Sequence, residues 1–117
     1  MTALSLIVLR TPDMERLKSF YELFDVAFQQ EQHGKGPIHL STMLPHGVVL
    51  EIYPLKNDSA VDSSLRLGFS VDDVDAIVSA LRQAGHAIVT ESRQTEWGYS
   101  AVVKDPDGRA VELQTAK

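Results

Sequence analysis

The sequence predicts an α+β fold: two tandem β-α-β-β-β modules forming a curved mixed sheet around a cleft, with the helices on the outer face. Three observations predict it. A strand-like run followed by a helix signal occurs twice, at Ala3–Asp13 and at Leu65–Asp73. A Pro-x-Gly turn closes each half, as Pro45-His46-Gly47 and as Pro106-Asp107-Gly108. Each turn leads into Gly-x-x-x-Glu, Gly47 to Glu51 and Gly108 to Glu112, so the halves match as an internal repeat with a one-residue indel.

Each element has a local reason. Ala3 to Leu9 is rich in Leu, Ile and Val and reads as a buried strand. Thr11 is placed to cap a helix whose first residue is Pro12, where a missing N–H is harmless. Met14, Leu17, Tyr21 and Phe24 share one apolar helical face. Strands follow at Val26–Glu31, Pro37–Met43 and Gly47–Tyr53, separated by Gly34, Gly36 and the Pro45 turn. The order then restarts. Leu65–Val71 is a strand, and Asp72 caps a helix carrying Val74, Ile77, Val78 and Leu81, which Gly85 ends. Ala87–Glu91, Tyr99–Lys104 and Ala110–Gln114 complete the second module. The modules span about residues 1–57 and 63–117 of a single domain, joined by the polar stretch Lys56–Ser64. A βαββαβ ferredoxin-like domain has too few elements for this pattern.

Composition narrows the function classes. The 117 residues carry a formal net charge of -5 and no cysteine. That leaves no disulfide framework and no thiolate metal site, and fits a cytoplasmic location. An acidic chain without a basic cluster is a poor nucleic-acid surface. The apolar N-terminal run breaks at Arg10, too short for a signal peptide or a membrane span.

Strand parity places the candidate residues. Val48, Leu50 and Ile52 point one way; Val49, Glu51 and Tyr53 point the other. Leu65, Leu67, Phe69 and Val71 likewise oppose Arg66, Gly68 and Ser70, and Val111 and Leu113 oppose Glu112 and Gln114. The apolar faces meet the helices. The opposite faces carry Glu51, Arg66 and Glu112, and the two glutamates stand at matched positions of the repeat. A polar strand face is more often simply solvated, so it is the equivalence that marks them.

These residues resemble a known family. Val8-Leu9-Arg10 with Asp13 and Phe20-Tyr21, then Phe69-Ser70-Val71-Asp72-Asp73-Val74-Asp75-Ala76, then Trp97-Gly98, Asp105-Pro106-Asp107-Gly108 and Glu112-Leu113 follow its order and spacing over essentially the whole chain. The family is the vicinal oxygen chelate superfamily, the group of glyoxalases, bleomycin-resistance proteins and extradiol dioxygenases. The resemblance implies a cleft and a homodimer. In metal-dependent members four strand residues, His or Glu, hold one divalent ion. By register those positions are Leu6, Glu51, Arg66 and Glu112. Leucine has no donor and arginine is cationic, so only Glu51 and Glu112 remain, at best a weak site for a hard ion.

The departure resembles the family's drug-binding members. The first expectation is therefore a small-molecule binding protein lacking the usual metal, with Leu6 as an apolar wall and Glu51, Arg66 and Glu112 as polar anchors. Arg66 is placed to pair with Glu112 or Glu51, or to take an anionic ligand. Tyr53 shares the face of Glu51, and His39 reaches the cleft if its parity is right, whereas His33, His46 and His86 fall in turns. Trp97 and Tyr99 stand just before a strand, where the family often has a rim loop; Trp97 either covers a flat ligand or packs in a core or a dimer interface. The alternative is a metal-dependent lyase, isomerase or dioxygenase with an ion on Glu51, Glu112 and a third ligand such as His39, and Glu112 as general base. Metal-free proton transfer by Glu112, with Arg66 stabilising an enolate, ranks last, because a carboxylate held tightly by arginine is a poor base.

Overall fold

In a computed structural model, which describes residues 1–56 and 59–115, the chain divides into two compact units, Met1–Val61 and Asp62–Lys117. Among the described residues each unit has one α-helix and a four-stranded mixed sheet, and the first also has a 3-10 turn at Pro45–Gly47. In the first, strands β1 (Leu6–Thr11), β2 (Gln29–Glu31), β3 (His39–Met43) and β4 (Val49–Pro54) lie in the order β1-β4-β3-β2, with helix α1 at Met14–Glu22. In the second, β5 (Leu67–Ser70), β6 (Ile88–Thr95), β7 (Gly98–Lys104) and β8 (Ala110–Gln114) lie in the order β5-β8-β7-β6, with helix α2 at Val74–Gln83. The first and last strands of each unit pair in parallel and the other pairs are antiparallel. These are the two β-α-β-β-β modules that the sequence predicts.

The repeat is visible in backbone detail. Asp13 and Asp73 cap their helices with nearly the same dihedrals, φ -141° with ψ 92° and 94°, each accepting from the N–H three residues on. Caps at Thr11 and Asp72 were the expectation. Thr11 instead ends β1, buried, and its hydroxyl accepts from the Asp13 N–H. An N-cap oxygen must reach the N–H of the second or third helical residue, and Asp13 and Asp73 stand at that distance. Gly85 ends α2 with φ +88°; its N–H donates to Arg82 and that of His86 to Leu81, the paired bonds of a Schellman turn.

Strand ends differ from expectation where pattern is weakest. β1 begins at Leu6 rather than Ala3 and β2 is only three residues, since Asp25 turns the chain with φ +65°. β6 runs on to Thr95 through two register shifts. Its polar tail Ser92-Arg93-Gln94-Thr95 has no apolar alternation to announce it, but an edge strand needs only backbone pairing. In each unit one sheet face is buried. Leu9, Leu40, Leu50 and Ile52 join Leu17, Phe20 and Tyr21 of α1 in the first core. Leu67, Val103, Val111 and Leu113 join Val74, Val78 and Leu81 of α2 in the second.

Candidate functional site

The open face of the first sheet follows from strand register. Leu6, Val8 and Arg10 of β1 stand beside Val49, Glu51 and Tyr53 of β4. Glu51 and Val49 stand beside Ser41 and Met43 of β3, and His39 of β3 pairs with Glu31 of β2. One end of this face is apolar, with Leu6, Val8 and Met43 exposed, and the other is polar. An exposed cluster of large apolar side chains is what a binding surface requires.

At the polar end, planar groups stack across the sheet. The Arg10 guanidinium lies 5.2 Å from the Tyr53 ring centre. Tyr53 stacks on His39 at 4.2 Å with the planes 8° apart, and the His33 ring lies 5.1 Å beyond. His39 is only 1% exposed. Its Nδ1 is 3.2 Å from the Pro37 carbonyl oxygen, which can only accept, so Nδ1 carries a proton. Its Nε2 faces Glu31 Oε1 at 3.5 Å and Glu51 Oε2 at 3.7 Å. Both gaps exceed hydrogen-bond length, and Nε2 has no hydrogen-bond partner among the described residues.

The second unit carries a different arrangement. Glu112 of β8 pairs in register with Gly68 of β5, and Arg66, just before β5, donates from Nη2 to Glu112 Oε2 at 3.1 Å. This is one of the two pairings expected of Arg66. Both side chains are substantially exposed, at 59% and 36%, so the pair orients charge more than it stabilises the fold. Trp97 lies in the β6–β7 turn, 68% exposed. At that exposure it does not pack in the core of its unit; its N–H donates to Thr95 Oγ1 and its carbonyl accepts from Gln114 Nε2. Tyr99 lies in β7, where its phenol donates to Asp75 of α2, and that hydrogen bond raises its pKa above the ordinary value.

The sequence profile of the Glyoxalase/Bleomycin resistance protein/Dioxygenase superfamily matches residues 3–113. The chain belongs to that superfamily. No curated protein sequence matches it. Among solved structures, a glyoxylase/bleomycin resistance protein/dioxygenase domain from Frankia sp. EAN1pec is similar with TM-score 0.81 and 21% identity, covering 100% of this chain and 99% of that one. TnmS3, an antibiotic binding protein from Streptomyces sp. CB03234, is similar with TM-score 0.75 and 28% identity, covering 100% and 98%. Oxidase ChaP-H2 is similar with TM-score 0.79 and 20% identity, covering 99% and 94%.

Superfamily members commonly hold a divalent ion, and the side chains here fit the usual four positions poorly. Leu6 offers no donor atom and Arg66 brings a positive charge that already engages Glu112. The structure gathers a different set of donors: Glu31, His33 and His39 place one ligand atom each within 4.8 Å of one another. Of these only His39 was singled out from the sequence. Glu31 and His33 were missed: Glu31 stands opposite His39 only through the register of the short strand β2, which the sequence does not announce. No helix among the described residues is long and apolar enough to cross a membrane.

Proposed function

We propose that this superfamily member binds a small organic molecule and does so without the usual four-position metal site. The observation that carries this reading is the pair of substitutions at those positions, an exposed leucine at Leu6 and a glutamate-bound arginine at Arg66. The likeness to an antibiotic binding protein at 28% identity over the whole chain supports it. In the first unit Leu6, Val8, Val49 and Met43 supply apolar contact, with Glu51, Tyr53 and His39 as polar anchors. In the second, Arg66 and Glu112 supply an oriented charge pair and Trp97 an exposed flat ring. Glu112 serves as an anchor while Arg66 holds it; a role as general base requires that bond to open. A homodimer and a cytoplasmic location belong to the same reading.

The test is calorimetric titration of chelator-treated, tag-free protein with bleomycin and a panel of aromatic natural products. Binding that persists without metal and weakens about tenfold, roughly 1.4 kcal/mol, in Arg66→Ala supports the proposal. Turnover of a ligand only in the presence of a divalent ion would replace it with the second reading, a metal-dependent lyase, isomerase or dioxygenase with an atypical ligand set. The Glu31, His33 and His39 cluster is the observation that favours that reading.

A further inference from the structure

We propose that Glu31, His33 and His39 form a binding site for a divalent first-row transition metal, zinc in the first place, on the β2–β3 hairpin. The site lies wholly in the first unit and shares no residue with the superfamily's usual four positions; it shares His39 with the ligand-binding reading.

The charge arrangement is the starting point. A buried imidazole nitrogen, Nε2 of His39, is aimed at the carboxylates of Glu31 and Glu51. With Nδ1 engaged by the Pro37 carbonyl, Nε2 is the ring atom left facing two carboxylates. Burying that atom without a partner is costly. A cation bound between the ring and the carboxylates supplies the missing partner.

Distances favour a metal over a shared proton. Metal-to-nitrogen and metal-to-oxygen bonds of about 2.0–2.2 Å at a tetrahedral angle set neighbouring donors roughly 3.4 Å apart. A charge-assisted hydrogen bond would instead bring them to about 2.7–2.9 Å. The observed separations are 3.5 Å from His39 Nε2 to Glu31 Oε1 and 3.8 Å from His33 Nε2 to the same oxygen. Glu51 Oε2, 3.7 Å from His39 Nε2, adds negative charge beside the site. Two imidazoles and a carboxylate suit zinc and its neighbours rather than magnesium or calcium.

The surroundings also suit a ligand histidine. A metal-binding imidazole commonly donates its other N–H to a carbonyl, which fixes tautomer and ring plane; Pro37 does this for His39. Tyr53 stacked on the ring holds its tilt. His33, three-quarters exposed in the turn, leaves the site open to an entering ion.

Tag-free full-length protein should be titrated with zinc by calorimetry and with cobalt(II) by visible absorption, which reports tetrahedral nitrogen and oxygen coordination. We expect one ion per chain, and affinity lowered at least about tenfold by His33→Ala and by Glu31→Gln. His33 and Glu31 are surface positions, so both variants keep the fold, which circular dichroism verifies. Glu91→Gln, in the other unit, leaves the affinity unchanged. The absence of one-to-one binding, or binding that both His33→Ala and Glu31→Gln leave intact, overturns the proposal.

Discussion

The two modules build the same turn before their closing strand from opposite chemistry. In the first, the Leu44 N–H donates to the Val48 carbonyl at 2.8 Å and Gly47 donates back to Leu44 at 3.3 Å. In the second, Asp105 donates to Arg109 and Gly108 to Asp105, both at 3.0 Å. Gly47 and Gly108 share φ near +90°. Yet the first frame is flanked by aliphatic side chains and the second by a buried ion pair. Arg109 and Asp105 have side chains only 2% and 0% exposed. Asp105 accepts from the N–H groups of Asp107 and Arg109 and from Arg109 Nη1, which also reaches Asp107. Backbone geometry is thus the shared inheritance of the repeat, while side-chain chemistry is free to differ on it.

The largest expected effect separates these two solutions. Arg109→Ala leaves the Asp105 charge buried without its cation and should cost about 3–5 kcal/mol. Val48→Ala, the matched change in the first module, removes only methyl groups from a half-buried site and should cost about 1 kcal/mol. The double replacement Asp105→Leu with Arg109→Val copies the first turn into the second and should recover most of the loss. Urea denaturation measures all three. A single-site loss at Arg109 no larger than that at Val48 would mean the backbone alone holds the turn.

The matched glycines come next. At φ +89° and +90° any other residue is strained, and an added Cβ meets nothing within 4 Å at Gly47 and only Ser63 Cβ at 3.7 Å at Gly108. Gly47→Ala and Gly108→Ala should therefore each cost about 1–2 kcal/mol. Unequal costs in the same denaturation assay would show that one turn relaxes and the other does not.

What the sequence made legible divides along the same line. The doubled element order, the core faces and the equivalence of Glu51 with Glu112 follow from period and turn chemistry, which are local. The caps were displaced by one or two residues, because Thr11, Asp13, Asp72 and Asp73 are all competent and only three-dimensional reach decides among them. The Arg66–Glu112 pair was within reach of parity. The His39 environment was not, because the partners of Nε2 come from two neighbouring strands, and β2 is too short for its register to be read. The Arg109 lock escaped notice because an arginine after a turn has the pattern of a surface residue, and its burial is a property of packing alone.

A smaller effect tests the helices. Asp13→Ala and Asp73→Ala each remove one carboxylate-to-N–H bond of 3.1 Å and 3.0 Å, and should each cost about 1 kcal/mol. The two caps lie in different units and share no partner, so the double variant should show the sum. A marked departure from additivity would mean that the two units are coupled through their helices.

The smallest effect belongs to the second module alone, where Tyr99 ties β7 to α2 through Asp75 at 2.9 Å, a tether the first module lacks among its described bonds. The carboxylate stabilises the protonated phenol, so Tyr99 ionises above the usual tyrosine value of about 10. The sign follows from linkage: the folded state holds this proton more tightly than the unfolded chain. The stabilisation is therefore complete below the unfolded pKa and is lost as pH rises through the folded one. Ultraviolet titration of the phenolate should show Tyr99 ionising above the usual value, and Asp75→Asn should lower its midpoint. A titration unmoved by Asp75→Asn would mean that the tether does not raise the phenol, and the Arg82–Glu91 pair would be the described side-chain link between helix and strand that remains in the second module.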